Sequence, residues 1–142
     1  MSSIETVPAT LPRTLGQLRA ANWPVTSVKE EMRRNLIARL GSKEPLFPGI
    51  VGYDTTVVPQ VVAAILAKHD FLLLGLRGQA KTRIIRQLVN LLDEWMPVVE
   101  GSPINESPYE PLTKRGRELA EMGDSMPIGW VHRSRRYQEK LA

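Results

Sequence analysis

The stretch Gly75-Leu-Arg-Gly-Gln-Ala-Lys-Thr82 decides how this chain is interpreted, because it nearly matches the phosphate-binding pattern G-x-x-x-x-G-K-[ST]. A short apolar run of strand length, residues 69–74, comes directly before it. The run 83–92 follows, with apolar residues at helical spacing. Strand, glycine-bearing loop and helix is the context that such a loop requires. The sequence therefore predicts a site for a nucleoside triphosphate.

The residue types in this stretch suit a polyphosphate. Gly75 and Gly78 allow backbone conformations that a side chain would obstruct, so amide groups can approach the phosphate oxygens. A helix beginning near Lys81 would offer its unpaired N–H groups and its dipole to the anion. Lys81 would reach the β- and γ-phosphates, and the Thr82 hydroxyl would ligate Mg²⁺. Ala80 replaces the second glycine of the pattern, which is acceptable if its φ is negative. The predicted phosphate-binding residues are Gly75, Leu76, Arg77, Gly78, Gln79, Ala80, Lys81 and Thr82.

Two positively charged features have a simpler alternative interpretation. Arg77 and Arg83 flank the loop and would raise the positive potential there, although such arginines are more often solvated or paired. The cluster His132-Arg-Ser-Arg-Arg136 could hold nucleic acid, since basic residues beside an aromatic suit that role. A solvated segment near the chain end is the interpretation that we favour for it. A strand–turn–helix without any phosphate also remains an alternative for residues 69–92.

Composition excludes several classes of protein. The chain has 142 residues, of which 42% are hydrophobic and 24% charged, as in a modest globular domain. It contains no cysteine, so no disulfide or thiolate metal site is possible, and its two histidines lie far apart. The N-terminus lacks a secretory signal, and Pro59, Lys68 and Asp70 interrupt the apolar stretch 57–76. We expect a cytoplasmic protein with a net charge of +4.

Capping and periodicity predict the helices before the loop. Ser27 and Glu30 form a capping box, and Gly41 is a typical helix stop, so a helix is expected between them. Its apolar face contains Met32, Leu36, Ile37 and Leu40. A second helix is expected over residues 56–68, with Pro59 tolerated in its first turn. The inward residues of that helix are Val58, Val61, Val62, Ile65 and Leu66.

The rest of the chain is less strongly patterned. The helix after the loop is expected to run to about Trp95, where Pro97 ends it, and a short strand is expected at 98–101. Residues 102–111 contain three prolines and indicate an extended loop. A helix over 112–122, closed by Gly123, is predicted next, and residues 1–13 are expected to lack fixed structure.

The run Val89-Asn-Leu-Leu-Asp-Glu94 resembles the second motif of nucleotide hydrolases, an apolar strand ending in Asp-Glu. It begins only seven residues after Thr82, inside the helix that must follow the loop. We therefore interpret it as helix, with Asp93 and Glu94 at an exposed helix end. The sequence predicts a triphosphate site without hydrolytic carboxylates, and no catalytic residue is assigned.

Residues 44–112 resemble the opening of an AAA+ ATPase module. The segments that carry the resemblance are Ile50-Val-Gly52, the run 71–82 that ends in Ala-Lys-Thr, and Val98-Val-Glu-Gly-Ser-Pro-Ile-Asn-Glu-Ser-Pro108. The branch that they resemble is the MoxR and magnesium-chelatase ATPase-subunit group. The resemblance implies that Ile50, Val51 and Gly52 line the adenine pocket. Tyr53 stands where the family commonly has glutamine, and core packing is the alternative for Ile50 and Val51.

The resemblance implies an α/β P-loop NTPase fold of the AAA+ type, a three-layer sandwich with a parallel sheet, preceded by N-terminal helices. Residues 1–43 would form a tail and helical segment, and residues 44–142 the first part of the ATPase domain, ending before the Walker B strand. It implies ATP and Mg²⁺ as cofactors, a homo-oligomeric ring in a longer protein, and remodelling of a partner protein or metal-insertion complex. The alternatives are a nucleotide-binding or interaction module that does not hydrolyse and, less favoured, a small-molecule kinase with residues 133–136 as its lid.

Overall fold

The computed structural model of this chain describes residues 6–24, 26–48, 57–70 and 78–136. These residues contain five helices and two strands in the order α1 (Leu15–Ala20), α2 (Val28–Leu40), α3 (Val57–Leu66), α4 (Gly78–Leu88), β1 (Trp95–Val99), α5 (Lys114–Ala120) and β2 (Ile128–His132). They belong to two compact units. Unit 1 contains the described residues of 6–24 and 95–136, and unit 2 contains those of 26–94.

Helices α2 and α3 of unit 2 form where the local signals predict them. The Ser27 side chain accepts a hydrogen bond from the backbone N–H of Glu30 at 3.2 Å, and the C-cap of α2 is Gly41. Helix α3 begins at Val57, so Pro59 lies in its first turn, where its missing N–H costs no helical hydrogen bond. Val61 and Ile65 are buried as predicted. The existence of both helices and the caps of α2 are confirmed.

The buried face of α2 differs from the predicted one. Leu36 is fully buried, but Ile37 is 44% exposed and Leu40 is 48% exposed, so their predicted place in the core is wrong. Glu31 is buried in their stead, because it accepts a hydrogen bond from the N–H of Asp93 at 2.6 Å. The hydrogen bond with Asp93 therefore places Glu31 on the buried face of α2, which does not include Ile37 or Leu40. The core of unit 2 consists of Leu36, Phe47, Val61, Ile65, Ile84 and Leu91.

The helix after the predicted loop ends earlier than expected. Helix α4 stops at Leu88, a 3₁₀ turn follows over Val89–Leu91, and Leu92 has extended dihedrals of −82° and 154°. The prediction that this helix continues to Trp95 is wrong, because Trp95 begins strand β1. The expectation that Val89–Leu91 is helical and not a strand is confirmed in its 3₁₀ form.

Unit 1 contains a two-stranded antiparallel sheet, in which Trp95 is opposite His132 and Val99 is opposite Ile128. The predicted strand at 98–101 overlaps the end of β1, whereas β2 was not predicted. Pro97 lies inside β1, opposite Trp130, and does not end a helix as predicted. The predicted helix over 112–122 is present as α5, and Gly123 follows it with a φ of +61°.

The N-terminal segment of unit 1 lies along β2. The N–H of Ile128 donates to the carbonyl of Arg13 at 2.9 Å, and Trp130 Nε1 donates to the carbonyl of Pro12 at 2.7 Å. The expectation that residues 1–13 lack fixed structure is therefore wrong for Pro12 and Arg13. Helix α1 follows this contact, and its Leu18 is fully buried. The core of unit 1 consists of Leu15, Leu18, Val99, Met126 and Ile128.

Within the described ranges the sheet has two strands and is antiparallel. The predicted strand before the phosphate loop lies, from Phe71 onward, outside the described residues. The parallel sheet of a P-loop fold therefore stays a prediction. No helix in the described part of the chain is long and apolar enough to cross a membrane.

Candidate functional site

The predicted phosphate-binding stretch continues into helix α4. The helix begins at Gly78, three residues before the predicted start near Lys81, so Gly78 to Thr82 occupy successive positions of its first turns. Ala80 therefore has the helical backbone, with the negative φ that an alanine at this position requires. The Thr82 side chain is half-buried. The remaining predicted residues lie outside the described part of the chain: Gly75, Leu76, Arg77, Ile50, Val51 and Gly52.

The first turns of α4 and α2 have opposite charge. Helix α2 has Glu30 and Glu31 in its first turn, where carboxylates favour the positive end of the helix dipole. The first turn of α4 contains no acidic residue, and Lys81 and Arg83 lie near it. A cation close to a helix N-terminus is unfavourable unless an anion joins it. This charge arrangement suits an anionic ligand at α4 better than at α2.

The polar side chains of α2 bind the end of the 3₁₀ turn that follows α4. Arg34 Nη2 lies 2.7 and 2.6 Å from the two carboxylate oxygens of Asp93. Asn35 Nδ2 donates to the carbonyl of Leu91 at 2.7 Å and to Asp93 Oδ1 at 3.0 Å. Together with the bond from the Asp93 N–H to Glu31, these contacts satisfy backbone groups that a helix end leaves unpaired.

This cluster corrects the interpretation of Asp93. The prediction placed Asp93 at an exposed helix end, but its side chain is only 31% exposed and is paired with Arg34. The carboxylate is therefore engaged in holding α2 against the end of α4 and its 3₁₀ turn. No sequence signal marks this cluster, because its members lie about sixty residues apart.

A second set of contacts attaches residues 46–48 to α4. Phe47 is 6% exposed and packs in the same core cluster as Ile84. Gln87 Nε2 donates to the carbonyl of Pro48 at 2.7 Å. These contacts place a segment that precedes the predicted adenine-pocket residues directly against the predicted phosphate-binding helix.

Among the described residues, the carboxyl group with the most strongly shifted pKa belongs to Glu106 of unit 1. Glu106 is 4% exposed, and its Oε2 accepts hydrogen bonds from the N–H groups of Leu112 and Thr113 at 2.6 and 2.8 Å. The backbone N–H of Thr113 is the largest cause that lowers the pKa of Glu106 to about 2, aided by the Thr113 hydroxyl and opposed by burial. Thr113 is also the N-cap of α5. Glu106 therefore holds the proline-rich loop to the start of α5.

The basic cluster near the C-terminus lies on a 3₁₀ turn over Arg133–Arg135 that follows β2. His132 Nδ1 accepts a hydrogen bond from the N–H of Ser134 at 3.2 Å, and its ring packs edge-on against Trp95 with centroids 5.0 Å apart. Arg135 is exposed. These contacts assign His132 a role in closing the turn, and the nucleic-acid and lid interpretations of the arginines stay predictions.

Within residues 6–24, 26–48, 57–70 and 78–136, no group of three or more His, Asp or Glu side chains is placed to hold a metal ion. A Mg²⁺ ion of the predicted kind needs no such group, because the Thr82 hydroxyl and the phosphate oxygens of a bound nucleotide would coordinate it. Comparisons with protein-family models, with characterised proteins and with solved structures give no match to this chain.

Proposed function

We propose that this chain binds a nucleoside triphosphate, with ATP and Mg²⁺ as the expected ligands, through residues 75–82. The observation that supports the proposal most is that helix α4 begins inside the motif, at Gly78, so that Lys81 and Thr82 fall in its first turns. The N–H groups of this turn and Lys81 suit phosphate oxygens. The Thr82 hydroxyl suits a hard cation, which would add positive charge beside the phosphates.

The wider assignment rests on the family resemblance alone. In that proposal the chain is the ATP-binding portion of an AAA+ ATPase similar to the magnesium-chelatase and MoxR group. Such a protein would act in the cytoplasm as a homo-oligomeric ring and would remodel a partner protein or a metal-insertion complex. Ile50, Val51 and Gly52 would line the adenine pocket of this assembly.

A non-hydrolysing nucleotide-binding module is the second candidate, and one observation favours it. Asp93, which follows the apolar run 89–92, is bound to Arg34 and Asn35 and follows a 3₁₀ turn. In this position it holds two protein elements together instead of facing the first turn of α4. Binding of ATP without release of phosphate would support the module, whereas turnover that disappears in Lys81→Ala would support an ATPase.

A thermal shift tests nucleotide binding. Mg²⁺–ATP at about 100 times its Kd should stabilise the chain by roughly 2.7 kcal/mol. Lys81→Ala should lose this stabilisation, while Lys43→Ala, which removes the same charge from an exposed position of the same unit, should keep it. Equal shifts in the two variants would count against the proposal.

Magnesium dependence tests the proposed role of Thr82. Thr82→Val keeps the shape of the side chain but removes the hydroxyl oxygen. We expect this variant to bind ATP with much less dependence on Mg²⁺ than the original chain, while Lys81→Ala fails with or without the cation. An unaltered Mg²⁺ dependence in Thr82→Val would remove Thr82 from the proposed metal site.

A further inference from the structure

One edge of strand β2 pairs with β1 and the other with the N-terminal segment, but the second pairing stops halfway. The N–H of Leu15 donates to the carbonyl of Met126 at 2.9 Å, and the N–H of Ile128 donates to that of Arg13 at 2.9 Å. An antiparallel ladder in this register would continue with a bond from the Arg13 N–H to the Ile128 carbonyl. The Arg13 N–H donates instead to Gln17 Oε1 at 2.8 Å. The carbonyl of Ile128 therefore lacks this ladder partner.

The residues before Arg13 do not continue the pairing. Pro12 has no N–H, and its carbonyl accepts a hydrogen bond from the indole Nε1 of Trp130 at 2.7 Å, not from a backbone group. The N–H of Leu11 donates to the carbonyl of Pro8 at 3.2 Å, which closes a turn. Within the described ranges, the N-terminal segment therefore makes no backbone hydrogen bond with the backbone of Trp130.

The register with β1 shows which backbone groups face this side of β2. Val99 lies opposite Ile128, and the N–H groups of both residues donate to carbonyls outside the two strands. Their pair is therefore not hydrogen-bonded, and bonded and non-bonded pairs alternate along an antiparallel ladder. Trp130, opposite Pro97, thus also directs its N–H and C=O away from β1, and no hydrogen bond of the described residues engages them. These two groups and the Ile128 carbonyl form the open edge of β2.

The open edge lies between two exposed arginines. Arg13 lies at the Ile128 end, and Arg135 lies beyond the other end, in the 3₁₀ turn that follows β2. Neither arginine forms an ion pair with a carboxylate of the described residues. Two positive charges at the edge favour a strand that carries carboxylates. They oppose pairing with the same edge of a second copy, because an antiparallel pair would bring the arginines of opposite ends together.

We propose that the open edge of β2 binds an extended acidic segment of another protein as an additional strand. Backbone hydrogen bonds to Ile128 and Trp130 would supply the pairing, as in other complexes in which a peptide extends a sheet. Arg13 and Arg135 would select a segment with carboxylates near its two ends. The proposal concerns unit 1 alone and is independent of nucleotide binding in unit 2.

The experiment titrates the full chain with a capped heptapeptide of alternating valine and glutamate, and NMR follows the exchange of single amide groups with solvent. We expect the Trp130 N–H to exchange freely in the chain alone and about tenfold more slowly at about 90% saturation with the peptide. The N–H groups of Gly129 and Val131, which face β1, should be protected in both states. The same peptide with methylated backbone nitrogens keeps its charges but has no donors, and it should not bind.

Charge variants test the selection of carboxylates. Arg13→Glu and Arg135→Glu should each weaken binding of the valine–glutamate peptide about two- to fivefold. Arg117→Glu, at an exposed position of α5, changes the net charge equally and should leave this affinity unchanged. A valine–lysine peptide should bind the original chain more weakly than the valine–glutamate peptide does, and Arg135→Glu should reduce this preference.

The exchange of the Trp130 N–H can overturn the proposal by itself. Slow exchange in the chain without peptide would mean that the edge is already covered. Slow exchange that appears only as the protein concentration rises would make a second copy of the chain the occupant. Unchanged exchange at high peptide concentration would mean that the edge binds no added strand.

The controls exclude other modes of binding. Equal binding of the methylated peptide would show that backbone hydrogen bonds do not hold the segment. Equal affinities in Arg135→Glu and Arg117→Glu would show that the arginine beside the edge does not select carboxylates. Either result would overturn the proposal. Tryptophan fluorescence checks that unit 1 of each variant is folded.

Discussion

The two units differ in how far apart in sequence their contacting residues are. The described residues of unit 2 come from the single range 26–94, in which α2 packs on its sequence neighbour α3 and Arg34 contacts Asp93 across 59 residues. Unit 1 joins two distant segments, as the hydrogen bond between Trp130 and Pro12 across 118 residues illustrates. A unit built from near neighbours can be anticipated from local patterns, whereas a unit built from distant segments depends on pairing that no local pattern encodes.

The units can also be followed by different signals. All three tryptophans, Trp23, Trp95 and Trp130, belong to unit 1. The longest described helices, α2 and α4, belong to unit 2. Tryptophan fluorescence therefore reports on unit 1, and far-UV circular dichroism is weighted towards unit 2.

The largest effect is expected in the core of unit 2. Leu36→Ala removes a fully buried side chain and should lower the free energy of unfolding by about 2–5 kcal/mol. Ile37→Ala, at the neighbouring 44% exposed position, should change it by no more than about 0.5 kcal/mol. Urea unfolding followed by circular dichroism measures both values. Equal losses in the two variants would mean that the buried face of α2 is the one that the apolar pattern predicts.

A glycine-to-alanine pair compares close packing in the two units. A Cβ on Gly116 of unit 1 would lie 2.7 Å from Glu106 Oε2, so Gly116→Ala should lower the free energy of unfolding by about 1–3 kcal/mol. A Cβ on Gly41 of unit 2 would meet its nearest atom at an ordinary 3.6 Å, and Gly41→Ala should be nearly neutral. Tryptophan fluorescence follows the first variant and circular dichroism the second. A neutral Gly116→Ala would contradict the tight contact.

A smaller loss is expected from the polar cluster of unit 2. Asp93→Asn removes the charge that Arg34 and Asn35 contact, and it should lower the free energy of unfolding by about 1.5 kcal/mol. Asp70→Asn alters a surface pair with Lys29, in which the Asp70 side chain is 93% exposed, and should cost less than about 1 kcal/mol. Added salt should reduce the Asp70 effect more than the Asp93 effect. Equal losses of unfolding free energy in Asp93→Asn and Asp70→Asn would mean that Asp93 stabilises the fold no more than an exposed carboxylate does.

The smallest effect is expected in the stability of unit 1 at acid pH. The pKa of Glu106 is lowered from 4.5 to about 2 in the folded chain, so the ionised group stabilises unit 1 at pH values above about 4.5. This contribution is lost as the pH falls from about 4.5 towards 2. Fluorescence-detected unfolding of Glu106→Gln should depend less on pH in this range than that of the original chain. Glu110→Gln, at an exposed position of the same unit, should retain the full dependence.

Local signals predicted the helices of unit 2, and in unit 1 they predicted α5 and the end of β1 but missed α1 and β2. Ser27 and Gly41 marked α2 because capping depends on neighbouring backbone groups. The burial of Glu31 and the exposure of Ile37 could not be predicted, because they follow from the partner that Asp93 finds across the fold. Strand β2 was missed because its pairing with β1 and Arg13 is non-local.

The residues of the candidate site also fall into those that sequence predicts and those that it does not. The motif residues Lys81 and Thr82 could be selected from sequence, because phosphate binding needs specific residues at fixed spacing on one helix. Gln87 and Pro48 could not be selected, since their contact joins segments 39 residues apart without any motif. The hydrogen bonds of Glu106 could not be predicted from sequence either. Its carboxylate accepts them from the N–H groups of Leu112 and Thr113, which lie in a loop without regular structure.

The proposed function requires helix α4 to bind a triphosphate at its first turn. Isothermal titration of the full chain with Mg²⁺–ATP, beside Lys81→Ala and Lys43→Ala, tests it most directly. We expect saturable binding by the original chain and by Lys43→Ala, and no detectable binding by Lys81→Ala. Binding of equal affinity in all three proteins, or in none of them, would contradict it.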